Sequence, residues 1–147
     1  MARPQYRSAY VCGALSVAAL FASPPAAAEG SPPPDPELRA SMQCDRAAEP
    51  GRVRCTVEVR IDGGRTLAWA DVEILSLPDF ASALKGRIGP QDAVSRDSTS
   101  TKWGFGLVAR RAGQGEVRAR IRLVACDASS RCAPATLDVK TQVTVSG

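Results

Sequence analysis

Hydrophobic and polar residues alternate with a period of two through most of the chain after residue 50. Val53, Cys55, Val57, Val59 and Ile61 alternate with Arg52, Arg54, Thr56, Glu58 and Arg60, the pattern of a strand with one buried and one wet face. Asp62-Gly63-Gly64 supplies a turn. Thr66 to Leu75 follows, with Ala68, Ala70, Val72 and Ile74 on one face and Trp69, Asp71 and Glu73 on the other. Trp103, Phe105, Leu107 and Ala109 form a further face, and Gly113-Gln114-Gly115 turns the chain into the clearest strand. There Val117, Ala119, Ile121, Leu123 and Ala125 oppose Glu116, Arg118, Arg120 and Arg122. Leu137, Val139, Thr141, Val143 and Val145 continue the rule to the end. The exception is Asp79 to Gly86, where an acidic cap, Phe80, Ala83 and Leu84 on one side and a terminal glycine predict a short helix before a polar loop from Gly89 to Thr101. Six or seven short strands with turns every 8 to 12 residues predict an all-β, immunoglobulin-like antiparallel β-sandwich over residues 38–147.

The N-terminal pattern is different. Arg3 and Arg7, an apolar run from Ala9 to Phe21 and small residues ending in Ala26-Ala27-Ala28 have the zones of a secretory leader, with cleavage expected between Ala28 and Glu29. Residues 1–28 are therefore read as a cleaved signal peptide. Residues 29–37, with Pro32, Pro33, Pro34 and Pro36, are read as a stiff linker. No later segment approaches the roughly 20 apolar residues of a membrane span. The expected location is the periplasm or the exterior of the cell.

Export gives the cysteines their meaning. Cys12 leaves with the leader, and Cys44, Cys55, Cys126 and Cys132 remain, an even number in an oxidising compartment. Their spacing is too wide for the paired ligands of a zinc site, so no metal and no cofactor is expected. Of the three possible pairings, parity selects one. Cys44 shares the parity of Leu38 and Met42, and Cys55 that of Val53 and Val57, so these two are expected to meet in the core as a structural disulfide. Cys126 falls on the parity of Arg120 and Arg122, and Cys132 is out of phase with Leu137. Both are expected at the outward-facing head of a hairpin, where their bond either staples the turn or, being accessible, exchanges with thiols.

Charge and composition narrow the functions further. The chain contains no histidine, which excludes Ser-His-Asp and Cys-His catalysis and the common histidine metal sites. Two of the 19 basic residues leave with the leader, so the remaining chain, with its 15 acidic residues, is close to neutral. Nucleic acid is not an expected partner for an exported chain with so few aromatics. Arg52, Arg54 and Arg60, together with Arg118, Arg120 and Arg122, would form a basic stripe if their two strands were neighbours; the competing reading is a solvated face balanced by acids. Trp69 is either presented for binding or packed under a loop. Asp71 and Glu73 share a face and are read as solvated strand carboxylates rather than a catalytic pair. Gly104-Phe105-Gly106 lacks the third glycine and the helix that a dinucleotide loop requires.

One segment resembles a known family. Cys126-Asp-Ala-Ser-Ser-Arg-Cys132-Ala-Pro134, preceded by a glycine turn and a strand, is similar to the cysteine hairpin in the N-terminal, immunoglobulin-like domain of DsbD-type thiol:disulfide interchange proteins. The resemblance covers about 35 residues. It implies that Cys126 and Cys132 pass electrons from a membrane domain to periplasmic oxidoreductases. The chain departs from that family in having Arg131 and Ala133 where aromatics flank the second cysteine, in the additional Cys44 and Cys55, and in its aromatic cap loop, for which Phe80 is the candidate counterpart. Two functions follow: a non-catalytic interaction or accessory module whose outer faces and Phe80 to Thr101 segment hold an unidentified protein partner, or a thiol-disulfide relay through Cys126 and Cys132.

Overall fold

The computed structural model describes residues 35–147; the expected leader and most of the proline-rich segment lie outside them. Nine strands make up the domain: β1 Leu38–Cys44, β2 Gly51–Ile61, β3 Thr66–Ser76, β4 Ala81–Ala83, β5 Arg87–Ile88, β6 Ala93–Arg96, β7 Ser100–Ala109, β8 Gly113–Cys126 and β9 Cys132–Val145. All ladders between them are antiparallel. One sheet runs β1-β2-β7-β4, with β6 also pairing β7, and the other runs β5-β3-β8-β9. With β1, β2, β3, β5, β7, β8 and β9 as A, B, C, C′, E, F and G and β4 with β6 as D, the sheets are A-B-E-D and C′-C-F-G, the immunoglobulin-like arrangement. The D position is split: β4 and β6 both border β7, and between them the chain crosses to the opposite sheet as β5, where Ile88 opposite Val72 is buried in the core.

The alternating faces of β2, β7 and β8 point inward as their sequences dictate, with Val57, Val59, Leu107, Val117, Ala119 and Ile121 fully buried. Trp103 on β7 occupies the middle of this core, and its indole Nε1 donates to the Gly89 carbonyl at 3.0 Å. That bond satisfies the one polar atom the ring brings inside. It also ties the β5–β6 connection to the sandwich. The sheets close along one side, where Ala47 donates to the Thr144 carbonyl and accepts from Ser146.

The structure corrects the sequence reading at four places. Residues 79–86 are not helical: β4 and a turn occupy them, because the Asp79 carboxylate accepts from Arg111 at 2.7 Å instead of capping, and Phe80 and Gly106 carbonyls accept the amides of Arg110 and Leu84. The expected loop from Gly89 contains a single 3-10 turn, Pro90–Asp92, and β6. In β3 a register shift around Ala68 inserts one extra residue, so that Leu67 is buried and Ala68 exposed. Finally, Asp35–Glu37 belongs to the domain rather than to a free linker. Arg65 donates to Asp35 at 2.9 Å and lies 3.0 Å from Glu37, while the Glu37 carbonyl accepts the Asp62 amide.

Candidate functional site

Both disulfides form as parity requires. Cys44 bonds Cys55 and Cys126 bonds Cys132, and each pair consists of directly opposed residues on neighbouring strands. Their surroundings differ. Cys55 is fully buried with Cys44 packed at the core margin, whereas Cys132 is exposed at the head of the β8–β9 hairpin. The turn between Cys126 and Cys132 is organised by Asp127, whose carboxylate accepts the amides of Ser129 and Arg131 at 2.8 and 3.0 Å and the Arg131 guanidinium at 3.1 Å. Ser130 takes up the left-handed conformation that closes it. Phe80 does not shield this disulfide. Its ring lies against Gly113 and Gly115, at the opposite end of β8.

The arginines of β8 face outward on the four-stranded sheet, and each has a carboxylate. Arg120 makes two hydrogen bonds to Asp138, at 2.7 and 3.0 Å, and Arg122 makes two to Asp71. Arg118 lies 3.8 Å from Glu116, which also meets Lys140 at 3.3 Å. Hydrogen bonding by Arg120 holds the Asp138 carboxyl below its ordinary range. Trp69 is 38% exposed, with the Arg122 guanidinium 5.8 Å over its ring. Asp71, expected to be solvated, is buried beneath Arg122 and Arg87. Arg52, Arg54 and Arg60 lie on the other sheet, so the six arginines do not form one stripe. Face parity was legible in the sequence; sheet membership was not.

The five-stranded sheet presents a different surface. Its outer face carries an open groove of about 570 Å³ between Arg52, Arg54 and Thr56 on one side and Leu84 and Val94 on the other. Gly104 and Gly106 form its floor. The rows follow from register: Arg54 opposes Gly106, whose carbonyl accepts the Leu84 amide at 3.0 Å, and Thr56 opposes Gly104, which borders Val94. Leu84 is 54% and Val94 66% exposed. Among the described residues, no carboxylate lies within ion-pair distance of Arg52 or Arg54, or of Arg46 in the adjoining hollow. The sequence signal for this groove was two glycines at consecutive outward positions of one strand.

The polar side chains that line the groove are Arg52, Arg54 and Thr56. Among the described residues no three His, Cys, Asp or Glu side chains converge as metal ligands, and no helix is long and apolar enough to cross a membrane.

No family model and no curated protein matches the chain. Solved structures with a similar arrangement include the major pilin subunit BcpA of Bacillus cereus, at 6% identity and TM-score 0.44 over 74% of this chain and 40% of that one. BslA, a bacterial hydrophobin, matches at 8% identity and TM-score 0.35 over 74% of this chain and 95% of its own. The VesB protease of Vibrio cholerae matches at 17% identity and TM-score 0.32 over 71% and 32%. The chain thus spans less than half the length of the pilin subunit and of the protease.

Proposed function

We propose that this chain is an exported, non-catalytic interaction module of the cell envelope, periplasmic or secreted, held together by two disulfides. The observation that carries the proposal is the contrast between its two outer faces. On the four-stranded sheet every β8 arginine is neutralised by a carboxylate of the same face. On the five-stranded sheet Arg52 and Arg54 form no ion pair, although Asp45 lines the adjoining hollow, and they lie beside two exposed aliphatic side chains and a glycine floor. Cations that are unpaired within a domain and adjoin apolar surface favour an external partner, which supplies the missing charge and covers the aliphatic groups. Both faces were candidates by sequence; the contrast favours the one bordered by the Phe80 to Thr101 segment.

A photo-crosslinking amino acid placed at Val94, in cells exporting the protein, tests this against the same probe at Asp138. Specific adducts from position 94 and not from position 138 are expected. Adducts from position 138 alone would move the partner surface to the Arg118, Arg120, Arg122 and Trp69 face.

A second reading, the relay, is favoured by the exposure of Cys132. In it the hairpin pair, once reduced by an upstream dithiol, presents a thiolate that attacks the disulfide of a periplasmic oxidoreductase and displaces one of its sulfurs; the other hairpin cysteine then attacks the mixed disulfide, releasing the partner as a dithiol and re-forming the Cys126–Cys132 bond. Single Cys126→Ser and Cys132→Ser variants would then accumulate a mixed disulfide with the partner. The module reading expects none.

A further inference from the structure

The groove's floor and its charges together specify what fits it. Gly104 and Gly106 occupy outward positions inside the ten-residue strand β7, where glycine is a poor strand former. Their backbone does not call for glycine, since the positive-φ glycines are Gly51, Gly63 and Gly64. Packing does not call for it at position 104 either. A Cβ there would meet nothing closer than Val94 Cγ1 at 3.7 Å, an ordinary contact. At position 106 it would meet the flexible tip of Leu84 at 2.8 Å. What a missing side chain at position 104 provides is room for something else to approach the strand.

The neighbouring backbone is only partly engaged, the Gly106 carbonyl accepting the Leu84 amide. The outer edge of β7 pairs with β4 as far as Leu107 and with β6 from Trp103, and the residues between them have no partner strand. This gap is too short to accept an added strand, so an occupant lies on the face of the sheet. Arg52 and Arg54 stand two residues apart on one strand, separated by roughly 7 Å. Alternate side chains of an extended peptide have the same spacing. With carboxylates at alternate positions directed to Arg52 and Arg54, the intervening side chain points the other way, toward Leu84 and Val94.

We infer that the groove over Gly104 and Gly106 holds an extended segment of a partner protein in which acidic and aliphatic residues alternate. The inference rests on the reading of the chain as an interaction module and adds the chemistry of the occupant.

The test uses the purified protein with both disulfides formed, titrated with the blocked pentapeptide Glu-Val-Glu-Val-Glu while backbone amide shifts are followed by NMR. Shifts concentrated at Gly104, Gly106 and Arg54 are expected, weakening with salt. Gly104→Thr should retain or raise the melting temperature and weaken binding by about ten-fold or more, as should Arg52→Glu with Arg54→Glu. Equal binding of Glu-Gly-Glu-Gly-Glu, undiminished binding by Gly104→Thr, or absence of shifts at millimolar peptide would overturn the inference. So would shifts at these amides from phosphatidylglycerol vesicles but not from the peptide. If Gly104→Thr fails to fold and Gly104→Ala is also destabilised, glycine is a structural requirement and the argument falls. Crosslinking from Val94 separates the two levels: a captured partner segment without acidic residues leaves the docking face standing and refutes only its occupant, whereas no capture refutes both.

Discussion

Asp71 and Arg122 oppose one another across the β3–β8 ladder, and the Arg122 Nε donates to Asp71 Oδ1 at 2.9 Å. The Asp71 side chain is only 4% exposed, and Arg87 lies 3.8 Å away on its other side. A carboxylate this deep in a sheet face depends on its cations. Arg122→Ala is therefore expected to lower the melting temperature more than Arg118→Ala, whose guanidinium meets only a half-exposed Glu116. Replacing Asp71 with Asn in the Arg122→Ala background should recover much of the loss by removing the stranded charge. Thermal melts of the three variants and the unsubstituted protein check the order.

The acid side of the stability profile follows from a second set of carboxylates. Asp97 accepts the Thr99 amide at 2.7 Å, the hydroxyls of Ser100 and Thr99, and the Ser100 amide, which together hold its carboxyl at about 2, below the usual 3.8. The Glu37 amide and Arg65 lower Asp35, Lys85 and the Gly89 amide lower Asp92, and Arg120 lowers Asp138. A native value below the unfolded one means that the unfolded chain binds more protons as the pH falls. The stabilisation is complete above the unfolded value and is lost on descending toward the native one. Urea unfolding should therefore show stability falling between about pH 4 and about pH 2, with a shallower fall for Asp97→Asn.

The two disulfides should differ in what their loss does. Loop closure over separations of 11 and 6 residues corresponds to about 3 and about 2 kcal/mol in the chain-entropy account. Paired serine replacement of Cys126 and Cys132 should leave a folded domain, less stable by about 2 kcal/mol, since Asp127 still organises the turn and fourteen registered pairs still join β8 to β9. Replacing Cys44 and Cys55 should cost more, because it also places a hydroxyl at the fully buried position 55. Denaturant titration of the two double variants measures both.

What the sequence disclosed depended on whether the deciding interactions were local. Alternation in β2, β7 and β8 identified their buried faces because one side of each strand meets the core. The disulfide pairing was legible for the same reason: opposed residues of a hairpin share a face. The helix expected at Asp79 to Gly86 failed because its signals were local while its partners were not. Arg111, Arg110 and Gly106, about thirty and about twenty residues further along, claim those groups for β4. The bulge at Ala68 left no mark in composition, so Ala68 was grouped with the face of Ala70 and Val72, whereas Leu67 is the residue buried there. Gly104 and Gly106 were weighed as a nucleotide motif and set aside, although their outward parity on a strand was the informative property.

The central claim is that both disulfides are staples of a binding module. The continuous β8–β9 ladder and the Asp127 turn hold Cys126 and Cys132 opposite one another even when reduced, and such preorganisation favours the closed bond. A redox titration of the purified protein, with thiol trapping and mass spectrometry to identify which pair opens at each potential, tests this directly. The account predicts that both pairs remain closed to below about −300 mV. Opening of the Cys126–Cys132 pair alone between about −270 and −180 mV would contradict it and assign the hairpin to thiol-disulfide exchange.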